Sequence, residues 1–120
     1  MRRAELFPKI KDAVLGRAYN LSLAFLSAAE MRAVTRKTKK KNKASNVLAF
    51  PLSKNSGEIL ICPATARMQC KAYGMSERVF VAYLFIHGLL HLQGLRHGVT
   101  MEREERRVMK TFGLRAHESR

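Results

Sequence analysis

The chain has 120 residues, 47% of them hydrophobic, which is enough for a single domain with a buried core and no disulfide staples. It carries 23 lysine and arginine residues against 9 acidic ones, so its formal net charge is +14. Such a charge attracts polyanions and is typical of proteins that meet nucleic acid or an anionic surface. The longest apolar run, residues 79–86, is too short to span a bilayer, and the N-terminal residues do not have the pattern of a signal peptide, so we expect neither a membrane-spanning nor a secreted protein. We therefore expect one cytoplasmic domain, residues 1–120, with Cys62 and Cys70 as reduced thiols.

The first third of the chain predicts two helices around one strand. Apolar residues at helical spacing predict a helix over residues 6–18, with Pro8 near its first turn. Partial alternation predicts a strand at residues 20–26. Ser27 and Glu30 have the spacing of a capping box, which predicts a short helix through about residue 36, followed by a basic loop.

The middle of the chain predicts a hairpin and then a helix. Residues 46–52 and 58–62 have the β-branched and aromatic composition of strands, and the residues between them favour a turn. Pro51 predicts an edge or a turn at the end of the first of these strands. Pro63 then begins a helix that ends at Gly74.

The last part of the chain predicts one buried helix and one amphipathic helix. Ser76 is the expected N-cap of the first, which is apolar almost all round from residue 79 to residue 92 and must therefore be buried. Thr100 is the expected N-cap of the second, which Gly113 ends.

Three of the four histidines lie within residues 85–98, FIHGLLHLQGLRHG. His87 and His91 are four residues apart, so they point from one helix face, and Gly94 allows a turn that would bring His97 back as a third nitrogen ligand. An isolated histidine is usually a core residue, but three so close together, with only His117 elsewhere, indicate a metal site. Three imidazoles with an open fourth position are typical of catalytic zinc, one ion per chain, although nickel or copper would also fit.

These elements together predict an α+β (α/β-like) fold. We expect a small mixed sheet of about four short strands, packed with about five helices, and one buried central helix that carries the metal ligands.

The strongest cluster of charge is the run RKTKKKNK at residues 36–43, in which six of eight residues are cationic. It contains no aromatic residue, so it indicates phosphate contacts with little sequence preference rather than base stacking. Its candidate RNA-binding residues, together with the arginine before the third histidine, are Arg36, Lys37, Lys40, Lys41, Lys43 and Arg96.

A zinc ion in a basic groove suits phosphodiester cleavage, because zinc lowers the pKa of bound water and polarises a phosphoryl oxygen. Either water or the RNA 2′-hydroxyl could be the nucleophile, and the sequence does not identify a protein general base. Zinc peptidases of the H-E-x-x-H type carry glutamate directly after the first histidine, where this chain has Gly88. The missing carboxylate argues against proteolysis.

Several segments resemble the YbeY-type endoribonucleases, zinc enzymes of ribosomal RNA maturation. HGLLHLQGLRH resembles their signature H-G-x-L-H-L-x-G-y-D-H, and KKNKASNVLAFP and GEILICP resemble two upstream segments. The resemblance covers about residues 31–113. It implies a single-strand-specific, zinc-dependent endoribonuclease whose metal ligands are His87, His91 and His97. It further implies RNA as partner, chiefly rRNA of the small ribosomal subunit, with a ribosome or ribosomal protein as a further partner.

Two positions depart from the family pattern. Lys39 occupies the position of an arginine that assists at the substrate phosphate, so it is the catalytic residue that the resemblance implies, without the bidentate fork of arginine. Arg36, three residues earlier, is the alternative for this role. Arg96 replaces an aspartate next to the third histidine, which reverses the charge beside a metal ligand. These departures leave open an alternative function, a non-catalytic basic module that binds RNA or the ribosome and has a degenerate or structural metal site.

Overall fold

The computed structural model describes residues 2–39 and 46–116, except for the side chain of Lys39. The fold is α+β, with five α-helices and a mixed sheet. In chain order the elements are α1 (Arg3–Leu15), β1 (Asn20–Phe25), α2 (Ala28–Lys39), β2 (Val47–Ser53), β3 (Ser56–Ile61), α3 (Pro63–Gln69), a 3-10 turn (Cys70–Tyr73), α4 (Glu77–Gln93) and α5 (Val99–Thr111).

The sheet has three strands within the described ranges, one fewer than the predicted four, and they correspond to the three segments for which the sequence predicts a strand. The strand order is β1-β3-β2, with β1 parallel and β2 antiparallel to the central β3. The turn between β2 and β3 is formed by Lys54 and Asn55, which confirms the predicted hairpin. Pro51 lies on the edge strand β2 beside an irregularity in the register, where a missing N–H is tolerated.

The two faces of the sheet bury different helices, because successive side chains of a strand point to opposite sides. Ile59 and Ile61 of β3 belong to the larger core cluster, which contains buried residues of α1, α4 and α5. Leu60 and the following Cys62 pack instead with Met31 of α2. The sheet therefore lies between α2 on one side and a layer built around α4 on the other.

Helix α4 is the buried central helix that the sequence predicts. Ser76 caps it by accepting a hydrogen bond from the backbone N–H of Val79 at 3.2 Å, and nine of its residues are buried. A Cβ added at Gly88 would lie 3.0 Å from Cδ1 of Ile59, so the helix approaches β3 as closely as a glycine allows. Leu92, one turn later on α4, lies over Gly57, which is two residues before Ile59 on β3. Helix α4 therefore runs antiparallel to β3.

Several predicted element ends were wrong, including the C-terminal end of α1, which is Leu15 rather than residue 18. Helix α1 begins at Arg3, so Pro8 lies inside it rather than near its first turn. Helix α5 begins at Val99, and its N-cap is Gly98 rather than Thr100. Helix α2 continues to Lys39, so the first part of the basic run is helical and not a loop.

The extension of α2 has a local cause. The predicted capping box fixes its start, because the Ser27 backbone N–H donates to Glu30 at 2.8 Å and the Glu30 N–H donates to Ser27 Oγ at 3.1 Å. Met31 and Thr35 are fully buried and hold the helix on the sheet. Arginine and lysine are good helix formers, so the helix continues past its packed turns. Lys40, Lys41, Lys43 and His117 lie outside the described residues. None of the described helices is long and apolar enough to cross a membrane.

We expect Gly88→Val to lower the free energy of unfolding by about 2 kcal/mol, because the new side chain would overpack the fully buried Ile59. Helix propensity alone predicts the opposite, since valine is a better helix former than glycine. Denaturant unfolding measures the difference, with Ala33→Val on the exposed face of α2 as the control for β-branching. A Gly88→Val protein as stable as the parent would contradict the close packing of α4 on β3.

Candidate metal centre

The structure brings the three predicted histidines together. His87 and His91 lie in the last two turns of α4, and His97 lies in the turn between α4 and α5. One ring nitrogen from each can be chosen so that all three lie within 4.8 Å of one another. The ring centroids of His87 and His91 are 4.6 Å apart, and that of His97 is 5.0 Å from the first and 4.7 Å from the second.

The chain reverses between the second and third histidines because of Gly94. This residue has a φ of 108°, and its N–H bonds to the carbonyls of Leu90 and His91, which ends α4. The backbone N–H of Leu95 then bonds to the Leu90 carbonyl at 3.0 Å, and the Leu95 side chain packs against the core. The tight turn returns His97 toward the helix that it has just left.

The donor set fits a metal ion such as zinc. Nε2 of His87 and Nε2 of His91 are 3.1 Å apart, close to the roughly 3.3 Å expected for two nitrogens on one tetrahedral zinc. His87 and His91 are partly buried and His97 is exposed, so the cluster is open to solvent on one side. The two cysteines, both buried with free thiols, are not part of this cluster. Three protein ligands and an open side are typical of a catalytic site.

A buried carboxylate holds the first histidine in place. Oε2 of Glu105, on α5, forms a short hydrogen bond with Nδ1 of His87. Glu105 is only 5% exposed. Because a carboxylate can only accept, Nδ1 of His87 carries the proton, and Nε2 presents its lone pair to the other histidines. A carboxylate behind a ligand imidazole is a common way to orient it and raise its basicity.

Tyr83, one turn before His87 on α4, completes this arrangement. Its hydroxyl donates to Oε1 of Glu105 at 3.3 Å. Burial and the adjacent negative charge of Glu105 raise the pKa of Tyr83 to about 12. The hydroxyl therefore stays protonated and remains a donor at neutral pH. Both carboxylate oxygens of Glu105 are thus hydrogen-bonded, one to Tyr83 and the other to His87.

Glu105 was missed by the sequence analysis, although the sequence contains a signal for it. Helix α5 buries Met101, Glu105, Val108 and Met109, which recur at the spacing of one amphipathic face. An acidic residue among apolar ones on such a face must find a partner, because an unpaired buried charge is costly. Arg96 offers no carboxylate beside His97, whereas Glu105 of α5 offers one to His87.

The basic residues predicted to bind RNA or to act in catalysis lie in two places within the described part of the chain, the segment between α4 and α5 and helix α2. Arg96 is exposed in the turn directly before His97. Arg36 and Lys37 are exposed on α2, which packs on the opposite face of the sheet from α4. Lys39 is the last residue of α2. Arg96 is therefore next to His97 in the chain, whereas Arg36 and Lys37 belong to the helix on the other side of the sheet.

We expect Glu105→Gln to weaken zinc binding by about 10- to 100-fold, because the amide cannot accept the His87 proton as a charged group does. Competition with a chromophoric chelator measures the affinity. Glu104→Gln is the matched control, since this neighbouring side chain pairs with Arg107 on the outer face of α5 at 2.9 Å. Equal zinc affinity of the Glu105→Gln and Glu104→Gln proteins would contradict the orienting role.

The chain resembles known proteins over most of its length. The family Endoribonuclease YbeY matches residues 4–114. The Endoribonuclease YbeY of Cupriavidus metallidurans is 31% identical over 119 residues, which cover 95% of this chain and 60% of the relative. That of Finegoldia magna is 31% identical over 108 residues, covering 80% and 71%, and that of Sulfurimonas denitrificans is 38% identical over 92 residues, covering 71% and 66%.

A protein of Thermotoga maritima with a known solution structure shares the fold, with a TM-score of 0.66 and 20% identity over 94% of this chain and 85% of the other. The chain spans only 60% of the Cupriavidus relative's length and 71% of the Finegoldia relative's. The family match nevertheless includes every element from α1 to α5 and all three clustered histidines. The chain belongs to the YbeY endoribonuclease family.

Proposed function

We propose that this protein is a metal-dependent endoribonuclease that cuts single-stranded RNA, with one zinc ion held by His87, His91 and His97. The observation that carries the proposal is the cluster of three imidazole nitrogens, which is open to solvent on one side and in which Glu105 orients His87. A zinc ion bound there would lower the pKa of water and polarise a phosphoryl oxygen. Family membership supports the same reaction, since the relatives are named endoribonucleases.

The proposed site has side chains that orient its first histidine, but it lacks the glutamate base of the H-E-x-x-H peptidases. Glu105 fixes the His87 tautomer, and Tyr83 holds Glu105 in place. Gly88, at the position of the catalytic glutamate in H-E-x-x-H peptidases, faces Ile59 of the sheet and not the histidines. A carboxylate at this position would enter the core rather than reach a substrate, so the helix is suited to a reaction that does not need that base.

The charge of the chain supports RNA as the substrate. A net charge of +14 attracts phosphates, and exposed Arg96 lies beside His97 at the open side of the cluster. We assign Arg96 to a flanking phosphate. Lys39 remains the proposed catalytic cation and Arg36, Lys37, Lys40, Lys41 and Lys43 the proposed RNA contacts. All of these basic residues lie between residues 36 and 43, before strand β2.

The proposed physiological substrate is rRNA of the small ribosomal subunit, in the cytoplasm, with the ribosome or a ribosomal protein as a further partner. This finer assignment is supported by the likeness of the histidine signature to the rRNA maturation enzymes. The second candidate function is a binding module without catalysis. It is favoured by Arg96, which places a positive charge next to a metal ligand where the family pattern has a negative one.

We expect His91→Ala to reduce cleavage of single-stranded RNA to the background of a mock purification, because the remaining two imidazoles cannot hold the ion as a site of three does. The assay combines metal content with cleavage of a labelled oligonucleotide by the untagged protein. Gln93→Ala is the control, since this exposed side chain lies on the same helical turn and bonds to the carbonyl of Val14.

The binding of RNA by the His91→Ala protein separates the two candidate functions. The nuclease predicts retained binding with lost cleavage. Cleavage undiminished in His91→Ala would contradict the metal mechanism. Tight RNA binding by the parent protein with neither zinc nor cleavage would establish the binding module instead.

We expect Arg96→Gln to weaken binding of single-stranded RNA and to reduce the slope of log affinity against log salt concentration by about 0.7, the value for one lost phosphate contact. Fluorescence anisotropy at several salt concentrations measures both quantities. Arg103→Gln, an exposed change on α5, controls for net charge. If Arg96→Gln and Arg103→Gln have the same effect, Arg96 does not contact a particular phosphate.

A further inference from the structure

A groove of about 800 Å³ lies between α1 and the outer edge of the sheet, and no step of the proposed reaction uses it. Its floor is strand β1, and its walls include Phe7 of α1 and Phe85 of α4. Leu21 and Leu23 face the core but are only partly buried, and Phe25 is 38% exposed. The groove is therefore an apolar surface that the described part of the chain leaves open.

The floor of this groove is an unpaired strand edge. Within the described ranges β1 is hydrogen-bonded only to β3. The N–H groups of Asn20 and Leu26 point toward β3, since they bond to the carbonyls of Asn55 and Ile61. The alternate residues, Leu21, Leu23 and Phe25, must direct their N–H and C=O groups outward. An added strand would find these backbone groups in place.

The charged residues that line the groove are Arg3 and Arg17 at its two ends and the Lys11–Asp12 pair between them. Arg3 is over the ring of Phe25, with its guanidinium carbon 4.7 Å from the centroid, at the end of β1. Arg17 precedes the start of β1 and also lines the groove. Lys11, between them along α1, is paired with Asp12 at 3.0 Å. The groove is apolar in the middle and positive at each end.

We propose that this groove binds an extended peptide segment of a partner protein, added as a fourth strand beside β1. The segment has alternate apolar residues in its middle and acidic residues at both ends, which complements the pattern of the groove. Main-chain hydrogen bonds to a free edge provide affinity, and the side-chain pockets provide selectivity. A second copy of this chain is disfavoured as occupant, since each copy carries a charge of +14.

The proposal is tested with a synthetic peptide, Val-Thr-Val-Thr-Val between pairs of glutamates, against the full chain. We expect binding of one peptide per chain, and slower hydrogen exchange at the amides of Leu21, Leu23 and Phe25. The amides of Ser22 and Ala24 already point toward β3 and should not change. N-methylation of one alternate set of peptide residues should abolish binding, and methylation of the other set should leave it intact.

The charge pattern is tested with variants of exposed residues. The double variant Arg3→Glu with Arg17→Glu should weaken peptide binding by about tenfold or more. Arg103→Glu on α5 should leave binding within about twofold, because this residue is remote from the groove. A peptide with lysines in place of the glutamates should bind as weakly as the acidic peptide binds the double variant.

Four results would overturn the proposal. They are an equal loss with Arg103→Glu, equal effects of the two N-methylated peptides, dimers of this chain joined through β1, and displacement of the peptide by oligouridylate at this groove. The last would identify the groove as an RNA surface. None of these results depends on the histidine cluster, so failure of this proposal and failure of the proposed nuclease are distinguishable.

Discussion

The close packing of α4 on the central strand β3 is the constraint on which the rest of the structure depends. Gly88 lets the helix backbone approach Ile59, and nine residues of α4 are buried as a result. Helices α1 and α5 and strand β2 also contact α4, so it forms the centre of that layer. The positions of His87 and His91 are set by the packing of α4, because this helix is buried between the sheet and the neighbouring helices.

The same packing limits the chemistry of the site. Residues on a helix advance by about 100° each, so the residue after His87 must point away from the face that His87 and His91 share. In this fold that direction leads to the sheet, and only a small residue fits there. The carboxylate that supports the histidine cluster lies on α5, where Glu105 reaches His87 from across the layer. The carboxylate that contacts His87 is therefore on α5 and not on α4, the helix that carries His87 and His91.

The sequence predicted the parts of the structure that depend on local patterns. The proximity of the three histidines, the caps at Ser27 and Ser76 and the hairpin all follow from spacing and residue type over short distances, and the structure confirms each of them. Glu105 was not found because it acts on a residue 18 positions away, which only the packing of α5 on α4 brings near. The continuation of α2 to Lys39 was not predicted, because a run of cations repels itself, which favours a loop, while each lysine and arginine is also a good helix former.

The histidine cluster and the fold are coupled through α5. Two of the three clustered histidines belong to α4, the third lies two residues before α5, and Glu105 of α5 bonds back to His87. An ion held by the three histidines would fix the turn between the helices and strengthen their contact, since binding to the folded state alone adds stability. Glu105 does not need that ion for its own hydrogen bonds, because Tyr83 and His87 already satisfy both oxygens. The contact between α4 and α5 therefore has hydrogen bonds of its own, beside whatever an ion at the three histidines would add.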